Sequence, residues 1–154
     1  MDLFNYQPRR SHEVHIGNKP LGGQQPLRLQ SMTTTLTTDT EASVAQCTAI
    51  IEAGADYVRL TTQGVREAEN LRPIREALHR RGFDTPLVAD VHFNPKVADV
   101  AAGIVEKVRI NPGNYVDPAR TFKELEYTDE EYAAELARLE DRFVQFLDIC
   151  RAHG

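Results

Sequence analysis

From Leu27 onward, short runs with an apolar residue at every second position alternate with longer runs whose apolar residues recur at helical spacing. The two-residue period marks strands at 27–32, 56–61, 87–92 and 105–110. A first helix is predicted to begin near Thr40 and run over 42–53, opened by a capping box of Thr38 with Glu41 and stopped by Gly54. The second carries Val65, Ala68, Leu71, Ile74 and Leu78 on one face and ends at Gly82, with Pro73 predicting a kink or restart inside it. Asn94-Pro95 reads as a cap followed by a first-turn proline, beginning a short third helix that ends by Gly103. A fourth opens at a second capping box, Thr128 with Glu131, and aligns Tyr132, Leu136, Leu139, Phe143, Phe146 or Leu147, and Cys150. Ahead of this series, the alternation at 12–17 and the Gly/Pro-rich stretch 18–23 predict a hairpin at the edge or bottom of the domain.

Strands alternating with helices imply a parallel sheet with helices packed outside it. A closed barrel of this kind takes eight strand–helix units and about 250 residues. The expected fold class is therefore α/β, the first half of a TIM-type (β/α)8 barrel, with residues 1–26 as leader and hairpin and 27–154 as four βα units. A small, complete four-stranded α/β domain fits the same order of elements. Half a barrel has two open strand edges, so self-association through them is expected unless the hairpin or the fourth helix covers one.

Alternation also sorts each strand into two faces. Val58 and Leu60, then Leu87, Ala89 and Val91, then Val108 and Ile110, form an apolar set suited to covering helices, joined in the first strand by Leu27, Leu29 and Ser31. The opposite face concentrates Gln30, Arg59, Thr61, Asp90, His92, Arg109 and Asn111, a set assigned to the C-terminal strand ends where α/β barrels place their sites. Arg59 and Arg109 have the planar donor array that matches phosphate oxygens. Asn111 offers an amide, and Pro112-Gly113-Asn114 a tight turn whose backbone could approach a ligand. Asp90 could orient an arginine or bind a substrate hydroxyl; an Arg59–Asp90–Arg109 network that merely ties strands together is the plainer alternative. His92 reads equally as a hydrogen-bonded scaffold residue.

Composition narrows the partners. A net charge of −5 lacks the basic excess of a nucleic-acid surface but leaves room for one phosphate cleft lined by a few arginines. No apolar run reaches membrane-spanning length and the first ten residues lack a secretory core, so a cytoplasmic protein with no membrane partner is expected. Cys47 and Cys150 are far apart in sequence and read as reduced packing residues. His12, His15, His79 and His153 have no metal-ligand spacing, so no metal site is expected.

The segments Gln30-Ser31-Met32-Thr33-Thr34-Thr35, Glu52-Ala53-Gly54-Ala55-Asp56-Tyr57-Val58-Arg59, Leu87-Val88-Ala89-Asp90-Val91-His92-Phe93-Asn94 and Lys107-Val108-Arg109-Ile110-Asn111-Pro112-Gly113-Asn114 occur in this order. Together they resemble the N-terminal barrel of the 4-hydroxy-3-methylbut-2-enyl diphosphate synthase family, in its large, insert-containing branch. The resemblance implies an oxidoreductase of isoprenoid synthesis that opens 2-C-methyl-erythritol 2,4-cyclodiphosphate and removes a hydroxyl with two electrons. It implies a 4Fe-4S cluster held by a separate C-terminal domain, with ligands outside this chain, and ferredoxin or flavodoxin as donor. By the same resemblance Arg59, Arg109 and Asn111 grip the diphosphate, with Asp90 and His92 lining the pocket; no catalytic residue is assigned. Leu36 departs from the polar residue expected in the family's Ser-Met-Thr segment. The sequence is thus expected to be part of a larger synthase and inactive alone. A dihydropteroate-synthase-like barrel without redox chemistry, or a non-catalytic anion-binding module, are the competing readings.

Overall fold

The computed structural model describes residues 9–92, 94–116 and 127–153. Strands β1 (Val14–Ile16) and β2 (Lys19–Leu21) form an antiparallel hairpin. Its turn is Gly17-Asn18, where Gly17 takes a φ of +55° that a side chain would strain. The stretch expected to be all turn thus supplies the second arm itself. Strands β3 (Gln30–Met32), β4 (Tyr57–Thr62), β5 (Leu87–Val91) and β6 (Lys107–Arg109) then build one parallel sheet in chain order. Helices α1 (Thr40–Glu52), α2 (Val65–Arg80) and α3 (Pro95–Ala102) connect them, and α4 (Asp129–His153) follows β6. This is the expected α/β half-barrel, four parallel strands that do not close on themselves.

Local chemistry explains most boundaries. The first helix is capped by Asp39, whose carboxylate accepts from Ala42 N, rather than by Thr38. Both residue types cap well, and the backbone turn at 36–39 puts Asp39 in the capping position. Asn94 caps α3, and the Thr128–Glu131 box forms reciprocally at α4. Pro73 neither breaks nor restarts α2, which runs continuously from Val65 to Arg80.

The core lies between sheet and helices. Val58, Leu60, Leu87, Ala89 and Val91 meet Val44 and Cys47 of α1, Leu71, Ile74 and Leu78 of α2, and Val97, Ala98 and Ala101 of α3. On the sheet's other face the hairpin lies across the bottom: Ile16 and Leu21 pack on Tyr57 and Val88. Two expectations fail at the margins. Leu27 and Leu29, expected on a helix-covered face, are exposed, both lying before the strand, which begins only at Gln30. In α4, Phe146, Phe143 and Leu139 are packed, the two phenylalanines against Tyr115, while Tyr132 and Leu136 are exposed. At 25 residues α4 is about 37 Å long against about 12 Å for α3, so its first turns run past every described neighbour.

Candidate functional site

Parallel register decides which polar residues meet. Thr61, Asp90 and Arg109 share one cross-strand row, with Arg59 one row below and His92 one row above. All five project from the face opposite the helices, at the C-terminal ends of the strands. Gln30 does not join them. It pairs with Tyr57, near the bottom of the sheet, because β3 meets β4 in a register that alternation alone does not reveal.

Asp90 is the centre of the cluster and is only 2% exposed. Its Oδ2 lies 2.6 Å from Nη2 of Arg59 and 3.1 Å from Nε2 of His92. Its Oδ1 lies 3.4 Å from Nη1 of Arg109, close enough for ion pairing but outside hydrogen-bond geometry. Burial is the largest influence on this carboxyl and pushes its pKa up. Hydrogen bonds with His92 and Arg59, together with the charges on those groups, outweigh it, so the carboxyl is held below the ordinary carboxylate value. The expected Arg59–Asp90–Arg109 network therefore exists, with His92 as a fourth member. The arginines and His92 keep part of their surface in solvent, whereas the carboxylate lies beneath them.

Asn111 stands just past β6, where its amide oxygen accepts from Gly113 N and caps the single 3-10 turn Pro112–Asn114. It is exposed, so the turn it holds faces solvent on the same side as Arg109. The loop after β3 is organised by residues that sequence reasoning passed over. The Oε1 of Gln46 accepts from both Thr34 N and Thr35 N, Thr37 Oγ1 donates to the Thr61 carbonyl at 2.6 Å, and Asn70 donates to the Thr37 carbonyl. Leu36 is exposed within this loop. Lys107 was also passed over as a site residue, although alternation put it on the polar face. Its Nζ sits 5.9 Å from the centroid of the Tyr57 ring.

The cysteines lie elsewhere. Cys47 is fully buried on α1 in the helix-side core, with its thiol pushed up to about 12 by burial, and Cys150 packs on that same side from α4. No group of three or more His, Cys, Asp or Glu among the described residues could hold a metal ion. What the cluster can do is bind an oxyanion: one buried carboxylate pairs closely with Arg59 and attracts Arg109 from below, beside a histidine and a turn.

Comparison with known proteins places these features. The GcpE TIM-barrel domain family matches residues 11–154. The chain is 68% identical, over 98% of its length, to a protein of Phocaeicola vulgatus and 69% identical, over 98%, to one of Bacteroides fragilis. A protein of Chlorobaculum tepidum is 47% identical over 99% of the chain. All three are named 4-hydroxy-3-methylbut-2-en-1-yl diphosphate synthase (flavodoxin). The match covers 25%, 24% and 20% of those proteins respectively, so the chain spans about a quarter of the length of the curated relatives it matches.

Proposed function

The chain belongs to the GcpE TIM-barrel domain family, and on that premise we propose that it forms part of the diphosphate site of a 4-hydroxy-3-methylbut-2-en-1-yl diphosphate synthase. The substrate is 2-C-methyl-erythritol 2,4-cyclodiphosphate, whose ring is opened and one hydroxyl reductively removed in isoprenoid synthesis. The observation that carries this reading is the pair of half-exposed arginines, Arg59 and Arg109, ion-paired to the buried Asp90 at the C-terminal strand ends.

In this proposal Arg59 and Arg109 bind the diphosphate oxygens through their remaining N–H groups. Asn111 and the 112–114 turn add donors at the rim, and His92 contacts the same ligand from the row above. Asp90 lines the floor of the pocket as a positioning residue. It fixes the Arg59 guanidinium by a close ion pair and holds Arg109 nearby by charge, so less side-chain entropy is lost on binding.

A 4Fe-4S cluster would supply the two electrons, with flavodoxin as the donor named for the relatives. The cysteines of this chain do not fit such a cluster, since Cys47 is buried in the core and both lie on the face opposite the arginines. No step of the chemistry is assigned to them.

Calorimetric titration with the cyclic diphosphate tests the proposal. Saturable binding by the chain, weakened at least tenfold in Arg109→Ala, is expected from the loss of one charge-assisted contact. Binding that survives the substitution unchanged would remove Arg109 from the site.

A further inference from the structure

The turn that follows Asn111 is held at its two ends by different elements. At the near end, β6 delivers Arg109 and Asn111 folds the turn on itself. The Asn111 side-chain oxygen accepts from Gly113 N at 3.2 Å and its carbonyl from Asn114 N at 3.3 Å. At the far end, Tyr115 and Val116 are taken up by α4, a helix that begins only at Asp129. Tyr115 is 3% exposed. Its ring centroid lies 6.1 Å from that of Phe143 and 6.0 Å from that of Phe146, and Cζ of Arg142 stands 5.8 Å from it. Arg142 is itself paired through Nη2 with Asp99 of α3, and Arg138 donates from Nη1 to the Val116 carbonyl at 3.0 Å. Tyr115, Phe143 and Phe146 belong to the helix-side core, so this clamp lies away from the face that carries Arg59 and Arg109.

We infer, resting on the diphosphate reading of the arginine cluster, that Arg142 is a positioning residue of that site. It holds Tyr115 against α4, so that Asn111 and the 112–114 turn stand at a fixed place beside Arg109. A single 3-10 turn has too few internal hydrogen bonds to set its own position. Asn111, Pro112 and Gly113 are all exposed, and Tyr115 is the first buried residue after them. The turn is therefore placed from outside, by what grips Tyr115. Asp99 keeps the Arg142 guanidinium from drifting into solvent, and α3, which carries Asp99, is the helix that follows the strand bearing Asp90. The pair thus ties the unit of Asp90 to the unit of Arg109 and Asn111 from behind the sheet. A shift of the turn by about 1 Å would take its donors out of reach of a ligand gripped by the arginines.

The test combines calorimetric titration with the cyclic diphosphate and backbone amide NMR relaxation. It uses the wild type, Arg142→Met, Arg142→Lys and Thr128→Ala. Methionine removes the charge while keeping an unbranched side chain, whereas lysine restores a cation that can face both Asp99 and the Tyr115 ring. Thr128→Ala is the control for stability alone, since it loosens the start of α4 without touching Tyr115. Arg142→Met is expected to bind about fivefold more weakly. In that variant the order parameters of Gly113 and Asn114 should fall from about 0.85 to below about 0.6. Arg142→Lys and Thr128→Ala should match the wild type in both readouts.

Unchanged order parameters in Arg142→Met overturn the inference, as does lowered order with unchanged affinity. An equal loss in Thr128→Ala overturns it too, by making the stability of α4 the cause. Should Arg142→Met fail to fold by circular dichroism, Asp99→Asn, which frees Arg142 from its anchor, is measured in its place. A wild type that does not bind the cyclic diphosphate sinks the diphosphate reading instead, and the order parameters then decide by themselves whether Arg142 holds the turn.

Discussion

Asp90 shows how one buried carboxylate can organise a cationic site. Its folded pKa lies below the ordinary value, so its contribution to stability is complete above about pH 4 and is lost as the pH falls through the folded value. Replacing it by Asn leaves two arginines without their counter-charge and should cost about 2–4 kcal/mol at pH 7, discounted for the arginines' partial exposure. Urea unfolding measures this, and the variant's stability should fall less than the wild type's below about pH 4, the part due to Asp56 remaining. At the other extreme of reactivity, the Cys47 thiol, pushed to about 12, should resist iodoacetamide at pH 8 until urea opens the fold. Peptide mass spectrometry reads that directly. Alternation along single strands was enough to gather Arg59, Asp90 and Arg109, because strand faces are fixed locally. It misassigned Gln30 because the β3–β4 register depends on two strands at once.

Between elements, the bottom of the sheet repeats a device. The carboxylate of Asp56, just before β4, accepts from Leu29 N at 2.9 Å, and that of Glu106, just before β6, accepts from Leu87 N at 2.9 Å. Each satisfies an N–H at the start of the preceding strand, where the ladder has not yet begun. Each also recruits a cation: Arg28 and Lys19 at Asp56, and Arg75 of α2 at Glu106. Arg28 in turn donates to the Pro20 carbonyl, so Asp56 anchors the hairpin to the sheet. Asp56→Ala should cost about 1–2 kcal/mol and expose the amides of β1 and β2 to hydrogen exchange while β4 and β5 stay protected. Thr128→Ala removes one half of the α4 capping box and should lower stability by about 1 kcal/mol, visible as a lower thermal midpoint. These side-chain anchors were not legible in the sequence, where Asp56 stood as the first residue of the predicted strand 56–61. Helix spans and three of the four strands were legible to within about two residues, since their apolar spacing is set by the same core that folds them.

Over the whole molecule, strand order equals chain order, so each unit packs on the one made just before it. The sequence predicted this order of units, but not which faces of the first and last of them would be bare. That depended on where β3 begins and on how far α4 outruns α3.

The uncovered side of β3 also has a meaning in time. In a longer relative made from its N-terminus, this strand would leave the ribosome first of the barrel strands, and a ring closed within one chain would seal it last. Leu27 and Leu29 would then stay wet throughout synthesis of every intervening unit. The first-made margin would thus be the one exposed longest to wrong partners, and the place where a chaperone would have most to protect.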